Sequence, residues 1–250
     1  MKNIILTLLL PCITGCIFFE KSIYPIKSIE LCMNFQNLGI NGEIINSKSI
    51  ISIYVANGYI VYKAPHYYVL EKAKRGKKGE YIYDKTLIDT IKYEYYIYNQ
   101  NKQIGYRFDS INVLHPVKIS IDSFQRVKTL KGSSFYSKED NLLSSEKNIG
   151  KTQLIEKRVP KQWDEDYADS SYFYYSNKFK DAPYVFSKTL DSTTHLKLYK
   201  ISYIYCKRPK GKQPFEIPRR EYTFELKEAK PAPEIPGLIR RFKAMELKLN

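Results

Sequence analysis

At 250 residues, with 43% hydrophobic and 27% charged side chains, the chain can bury a substantial core, which excludes an intrinsically disordered protein. Lys and Arg number 41 against 26 Asp and Glu, a formal charge of +15 that favours an anionic neighbour: acidic lipid head groups, acidic polysaccharide or nucleic acid. The 23 tyrosines fall largely in alternating runs, as half-buried sheet faces require.

The chain opens with an export signal. Met1-Lys2-Asn3 is a short basic start, residues 4–10 are apolar apart from Thr7, and small residues follow up to Cys16. The apolar stretch is too short to span a membrane, even with Ile17, Phe18 and Phe19 added. Ile13-Thr14-Gly15-Cys16 resembles the lipobox of bacterial lipoproteins, in which a cysteine follows an aliphatic and two small residues. The resemblance implies removal of residues 1–15 as a signal peptide, with Cys16 as the lipid-bearing first residue. A plain signal peptide cut nearby, or an uncleaved N-terminal anchor, is the alternative.

Residues 16–49 read as a tether leading into the first structure, with Pro25 opposing a helix and an Asn- and Gly-rich loop over 34–47. A single antiparallel β-rich domain is expected over 50–250. Residues 50–56 and 59–63 flank Asn57-Gly58, a hairpin signature, because a type I′ turn needs positive φ at both central positions. Pro65 is expected to end the second strand and residues 66–71 to begin another. The run 72–79 carries Lys72, Lys74, Arg75, Lys77 and Lys78, candidate contacts for an anionic ligand on a solvated hairpin loop.

Residues 91–110 form the clearest hairpin. Tyr93, Tyr95 and Ile97 share one face, Glu94, Tyr96 and Tyr98 the other; after a polar loop, Ile104, Tyr106 and Phe108 alternate with Gly105 and Arg107. A strand over 113–121 contains Pro116, which predicts an edge or a bulge. Residues 122–151 read as a polar excursion with a short helix around 137–146, and 152–159 as a strand stopped by Pro160. The acidic, aromatic stretch 163–175 lacks the spacing and glycine of a calcium loop, so a surface loop is expected there and no metal is assigned.

Residues 181–191 read as loop and short strand. Residues 195–206 alternate with a change of phase at Lys200, which predicts a bulge. Residues 221–228 form a strand with Tyr222, Phe224 and Leu226 inward. Beyond the prolines at 231, 233 and 236, Leu238, Phe242, Met245 and Leu249 make one helical stripe over 237–250, expected to cover the core.

The sequence lacks the spacings of zinc clips, nucleophile elbows, P-loops and dinucleotide folds, so no catalytic residue and no cofactor is assigned. With Cys16 acylated, Cys32 and Cys206 are the two thiols available to pair in an oxidising compartment. The run KYEYYIYNQNKQIGYRFDS and the run YYSNKFKDAPYVFSKTLDS resemble, in style, envelope lipoproteins of Bacteroidota. Pro236-Gly237-Leu238-Ile239 is similar to the second half of the GLPGLI motif, but Glu234 and Ile235 stand where its leading Gly-Leu would be, and four residues assign no membership.

The expectation is a mainly β protein built from successive antiparallel hairpins, as an open sheet or a sandwich or barrel, with a C-terminal helix. It would be lipid-anchored at a bacterial envelope, on an outer membrane facing the periplasm or surface, with a binding or structural role. Anionic lipid or polysaccharide is the expected partner, and the export signal argues against nucleic acid. The alternative is a secreted envelope hydrolase acting on polysaccharide through carboxylates such as Asp164, Glu165, Asp166 and Asp169.

Overall fold

Two positive φ angles, 53° at Asn57 and 75° at Gly58, close the tight turn that the Asn-Gly pair encodes. The turn joins β2 (Ile44–Ala56) to β3 (Tyr59–Leu70), with Ala56 opposite Tyr59. The structure is a computed structural model and describes residues 26–39, 41–70, 73–75, 81–83, 87–113, 115–129, 140–147, 150, 152–162, 167–210 and 214–249. Ahead of β2 lies β1 (Lys27–Leu38). After β3 come β4 (Ala73–Arg75) and β5 (Tyr81–Tyr83), which pair with each other, then β6 (Leu87–Asn99), β7 (Ile104–Phe108) and β8 (Val117–Ser120). The helix α1 (Ile121–Thr129) precedes the strands β9 (Asn141–Lys147), β10 (Gln153–Val159) and β11 (Ser170–Ser176). A 3-10 turn at Asn177–Phe179 and α2 (Lys188–Thr194) lead to β12 (Lys197–Tyr205), β13 (Arg220–Glu228) and α3 (Ile235–Leu249).

Among the described residues, eleven strands form one open antiparallel sheet in the order β8-β7-β6-β3-β2-β1-β13-β12-β11-β10-β9. The order has a simple origin. Strands β1, β2, β3, β6, β7 and β8 are laid outward by successive hairpins, and β9 to β13 are laid inward from the far edge. The first and last strands then meet: β1 pairs antiparallel with β13, Ile29 opposite Glu228 and Phe35 opposite Tyr222.

Both faces of the sheet carry core, over different strands. On one face a large cluster runs from Tyr96 and Tyr98 through Tyr62, Ile53 and Leu31 to Phe224, Ile201 and Phe173; α1 caps it with Ile121 and Phe124, and the 179–190 segment caps it with Phe179, Tyr184, Phe186 and Leu190. On the other face α3 lays Ile235, Leu238, Ile239 and Phe242 on Tyr54, Tyr59, Val61, Tyr95, Ile97 and Phe108. The two faces of the 91–110 hairpin thus go to opposite cores, as period-2 alternation requires. Gly105 is small for a reason. A Cβ there would stand 2.5 Å from Ile121 Cδ1 and 2.6 Å from the Ile97 carbonyl oxygen, so α1 could not sit down on β7.

Several segments depart from expectation. Residues 27–38 are not tether but a central strand, and the expected loop over 34–47 shrinks to the turn between Leu38 and Ile44. The physical cause is the alternation of Ile29, Leu31, Met33 and Phe35 with Glu30, Cys32, Asn34 and Gln36, which outweighs the Asn and Gly content. Pro65 does not end β3. The ladder to β2 stops at Lys63, so from there β3 pairs only with β6, and the missing N–H breaks no bond to β2. Within the polar excursion, residues 121–129 are helical. Ser120 Oγ accepts from Ser123 N, Asp122 lies in the first turn and Arg126 and Lys128 in the last, all favourable at those ends. The described part of the helix expected at 137–146 is the edge strand β9. The short strand expected in 181–191 is loop and α2, started by Ser187, whose Oγ accepts from Leu190 N. Cys32 and Cys206 are both free: Cys32 lies opposite Glu225, Glu225 opposite Lys200, and Cys206 is six residues further on, about 20 Å along the strand. The bulge foreseen at Lys200 is present. Tyr174 faces Lys200 and Tyr175 faces Leu198, leaving Tyr199 as the extra residue.

The C-terminal helix packs on the sheet through Leu238 and Phe242 of its stripe, with Met245 partly buried; the side chain of Leu249 lies outside the described residues. Pro236 sits in the first turn, where no intrahelical donor is lost. Glu234, at the helix entrance, takes Lys63 Nζ at 2.9 Å and the Tyr95 hydroxyl at 3.4 Å. Burial pushes the Glu234 carboxyl up, but the bonds from Lys63, its own backbone and Tyr95 outweigh it and hold the group below its ordinary 4.5. Burial pushes Lys63 down, and its bond to Glu234 overcomes this to leave it raised. Glu234→Gln is expected to lower stability at pH 7 by about 1 kcal/mol. A depressed carboxylate contributes above its unfolded value and loses that contribution as pH falls through the folded one. Urea melts of wild type and variant should therefore differ at neutral pH and converge on acidification below about pH 4.

Candidate functional site

Among the described residues, the helices leave one large area of the sheet uncovered. α3 reaches the sheet only over β2, β3, β6 and β7, and α1 and α2 lie on the opposite face. The α3 side of β10, β11, β12, β13, β1 and the first half of β2 has no described helix on it. Its residues are the polar phase of strands whose other phase is core.

The register lines these residues into rows across the strands. One row runs Lys157, Tyr172, Ser202, Thr223, Asn34, Lys48; the next runs Ile155, Tyr174, Lys200, Glu225, Cys32, Ile50. A third carries Ser170, Ile204 and Glu221, and the Glu221 backbone N–H donates to Gln36 Oε1 at 2.8 Å. Each row steps by the inter-strand spacing of about 4.8 Å, so six strands present roughly 24 Å of ladder.

Two tyrosines and two lysines dominate the β10–β12 end. Lys157 Nζ stands 5.6 Å from the Tyr172 ring centroid and Lys200 Nζ stands 5.0 Å from that of Tyr174. Burial, then the negative charge of Glu221, pushes the Tyr174 hydroxyl up, so it remains a neutral donor. At the other end Asn34, Gln36, Asn46, Lys48, Glu221 and Thr223 line a groove of about 400 Å³. Thr223 Oγ1 donates to Glu221 Oε1 at 3.2 Å, and Lys227 pairs with Glu225 at 3.2 Å. Between the two ends Ser202 is 2% exposed, and its hydroxyl has no hydrogen-bond partner among the described residues. Cys32 lies two strands away, on β1, within reach of the charges of Lys227 and Lys48. Burial and the nearby Glu30 push its thiol up, which makes it a poor nucleophile.

The residues singled out from sequence gather less well. Cys16, Lys72, Lys77, Lys78, Asp164, Glu165 and Asp166 lie outside the described residues. Lys74 and Arg75 belong to β4, which pairs with β5 in a separate two-stranded sheet. Asp169 serves the fold, because its Oδ2 accepts from Cys206 N at 2.6 Å and lies 3.6 Å from Arg208. The histidines are dispersed; His66 Nδ1 pairs with Glu94 at 3.2 Å and His195 closes α2 with φ 56°. Among the described residues no group of three or more His, Cys, Asp or Glu stands close enough to hold a metal ion. A second polar centre, where Gln125 Nε2 donates to the Tyr62 and Tyr98 hydroxyls at 3.0 and 3.2 Å, ties α1 to the sheet. The ladder residues were missed in sequence, although the polar phase of 27–38 and 221–228 carries the signal. Compared with known proteins, the chain matches no family model, and no curated protein matches it significantly.

Proposed function

We propose that the chain is a lipid-anchored protein of a bacterial cell envelope, held through acylated Cys16, that binds a ligand on the bare face of its sheet. The observation that carries the binding role is that face itself. Over β2, β3, β6 and β7 the sheet carries core on both surfaces, while from β10 to the first half of β2 it keeps, among the described residues, one broad surface set with hydroxyl, amide, tyrosine and lysine side chains. A face that served the fold alone would need no such alternation of aromatic and hydrogen-bonding groups, and its charges would pair out. Here Glu225, opposite Lys200, pairs with Lys227, while the ammonium groups of Lys157 and Lys200 lie against tyrosine rings. The anchor rests on the residues 13–16 and the basic, then apolar, segment ahead of them. The strong positive charge would hold the body close to anionic head groups.

Expression in a bacterium beside Cys16→Ala tests the anchor. Wild type should fractionate with membranes, begin at Cys16 and carry acyl mass; the variant should lack that mass and leave the membrane fraction. Intact wild type that is soluble and starts at Met1 would overturn the reading.

A further inference from the structure

We infer that the ligand of the bare face is a linear acidic polysaccharide lying across the strands from β10 to β2. This rests on the binding role given above and goes beyond it by naming the ligand. The footprint is the first reason. Cross-strand rows repeat at close to the length of one pyranose residue in an extended chain, and they continue over six strands. A small molecule would use one end of such a ladder; a polymer uses all of it.

The chemistry of the two ends supplies the second reason. At β10–β12 each tyrosine has a lysine beside it: Lys157 with Tyr172, Lys200 with Tyr174. A ring to take the apolar face of a sugar, with an ammonium a few ångströms away, fits a uronate residue, whose carboxylate projects from the edge of the ring. The ladder carboxylates next to these strands are on β13, where Glu225 stands opposite Lys200 and pairs with Lys227. At β13–β1–β2 the groove is lined by Thr223, Asn34, Gln36, Asn46, Lys48 and Glu221, which can give and take hydrogen bonds with sugar hydroxyls.

Ser202 is the third reason. Its buried hydroxyl is left without a partner midway between the rings and the groove, in the row that links them. A buried polar group left unsatisfied is destabilising, and a ligand hydroxyl seated between Tyr172 and Thr223 would satisfy it. The same face suits nucleic acid less well. Phosphate binding depends on many cations, whereas this ladder is mainly neutral hydrogen-bonding groups; Glu30, Glu221 and Glu225, on β1 and β13, oppose any anion there, so the contacts to carboxylates are those of Lys157 and Lys200 on β10 and β12.

Affinity electrophoresis of the full chain in detergent, through gels containing polygalacturonate, reads the interaction directly. Fully methyl-esterified pectin, double-stranded DNA and phosphatidylglycerol vesicles serve as the comparison probes. Wild type should be retarded by polygalacturonate in a salt-dependent way, and much less by the methyl ester, which keeps the ring and loses the charge. Tyr172→Ala and Tyr174→Ala should each weaken retardation by about tenfold, while Tyr174→Phe retains most of it. Lys157→Ala with Lys200→Ala should remove the preference for the free acid over the ester. Far-UV circular dichroism and thermal melts of each variant show that the sheet is intact. Equal retardation by the ester, stronger retardation by DNA, capture by vesicles alone, or tyrosine variants that bind like wild type would each overturn the inference. The Cys16→Ala variant separates the two claims: it should bind the polymer as wild type does, whatever its membrane partition.

Discussion

Leu31→Ala is expected to lower the free energy of unfolding by about 3 kcal/mol, read as a shift in the urea midpoint at constant slope. Leu31 is 1% exposed, in the middle of β1, with Leu226 of β13 on one side and Ile51 of β2 on the other. Truncation leaves a cavity between strands held at fixed spacing by hydrogen bonds to both neighbours, so the walls cannot close on it. The position also tests the topology. β1 and β13 are the only strands by which the two hairpin series meet in the described sheet order, and they come from opposite ends of the chain. If that seam makes one cooperative unit, Leu31→Ala shifts a single transition, and Leu226→Ala shifts it by a similar amount. The double variant should cost less than the sum of the two, because the cavities merge. Two separate transitions, with only one moved by the mutation, would mean that the hairpin series unfold independently.

The same strand shows how far the sequence could be read. The hairpins at Asn57-Gly58 and at residues 91–110 were legible because turn chemistry and alternation agree within a few residues. β1 was hidden although Ile29, Leu31, Met33 and Phe35 alternate cleanly. It pairs with β2 across a short local turn, but the Asn and Gly around that turn read as one long loop, and its other partner, β13, is some 190 residues away. Helix α1 was hidden for a different reason. It has only nine residues, too few for periodicity to stand out, and it is held by Phe124 stacking on Tyr96 at 3.8 Å and by Gln125 bonding to two tyrosines. C-terminal helix α3 is longer, and its stripe of apolar residues survived the flanking prolines. For the site the limit is sharper still. Tyr172, Ser202, Thr223 and Asn34 are spread over some 190 residues and share nothing locally; they become one row only through the order in which the strands pair.

The other large effect comes from charge buried against the large core. Lys197 opens β12 at 6% exposure, and its ammonium lies 3.1 Å from Asp191 of α2. Asp191 does two things at once, since its second oxygen accepts from Leu198 N at 2.8 Å. Asp191→Ala is therefore expected to destabilise by about 3 kcal/mol, because it strands a buried ammonium and a strand N–H together. Asp191→Asn keeps the acceptor for Leu198 but not the charge, and should fall between wild type and the alanine variant. The informative experiment is rescue. If the cost comes from the uncompensated ammonium, adding Lys197→Met to Asp191→Ala restores most of the loss, because an apolar chain of similar length fills the same space without a charge to solvate. Thermal melts of the four proteins decide it. A double variant as unstable as Asp191→Ala alone would place the whole effect in the lost bond to Leu198, and Lys197 would then be a bystander that reaches water when its partner is removed.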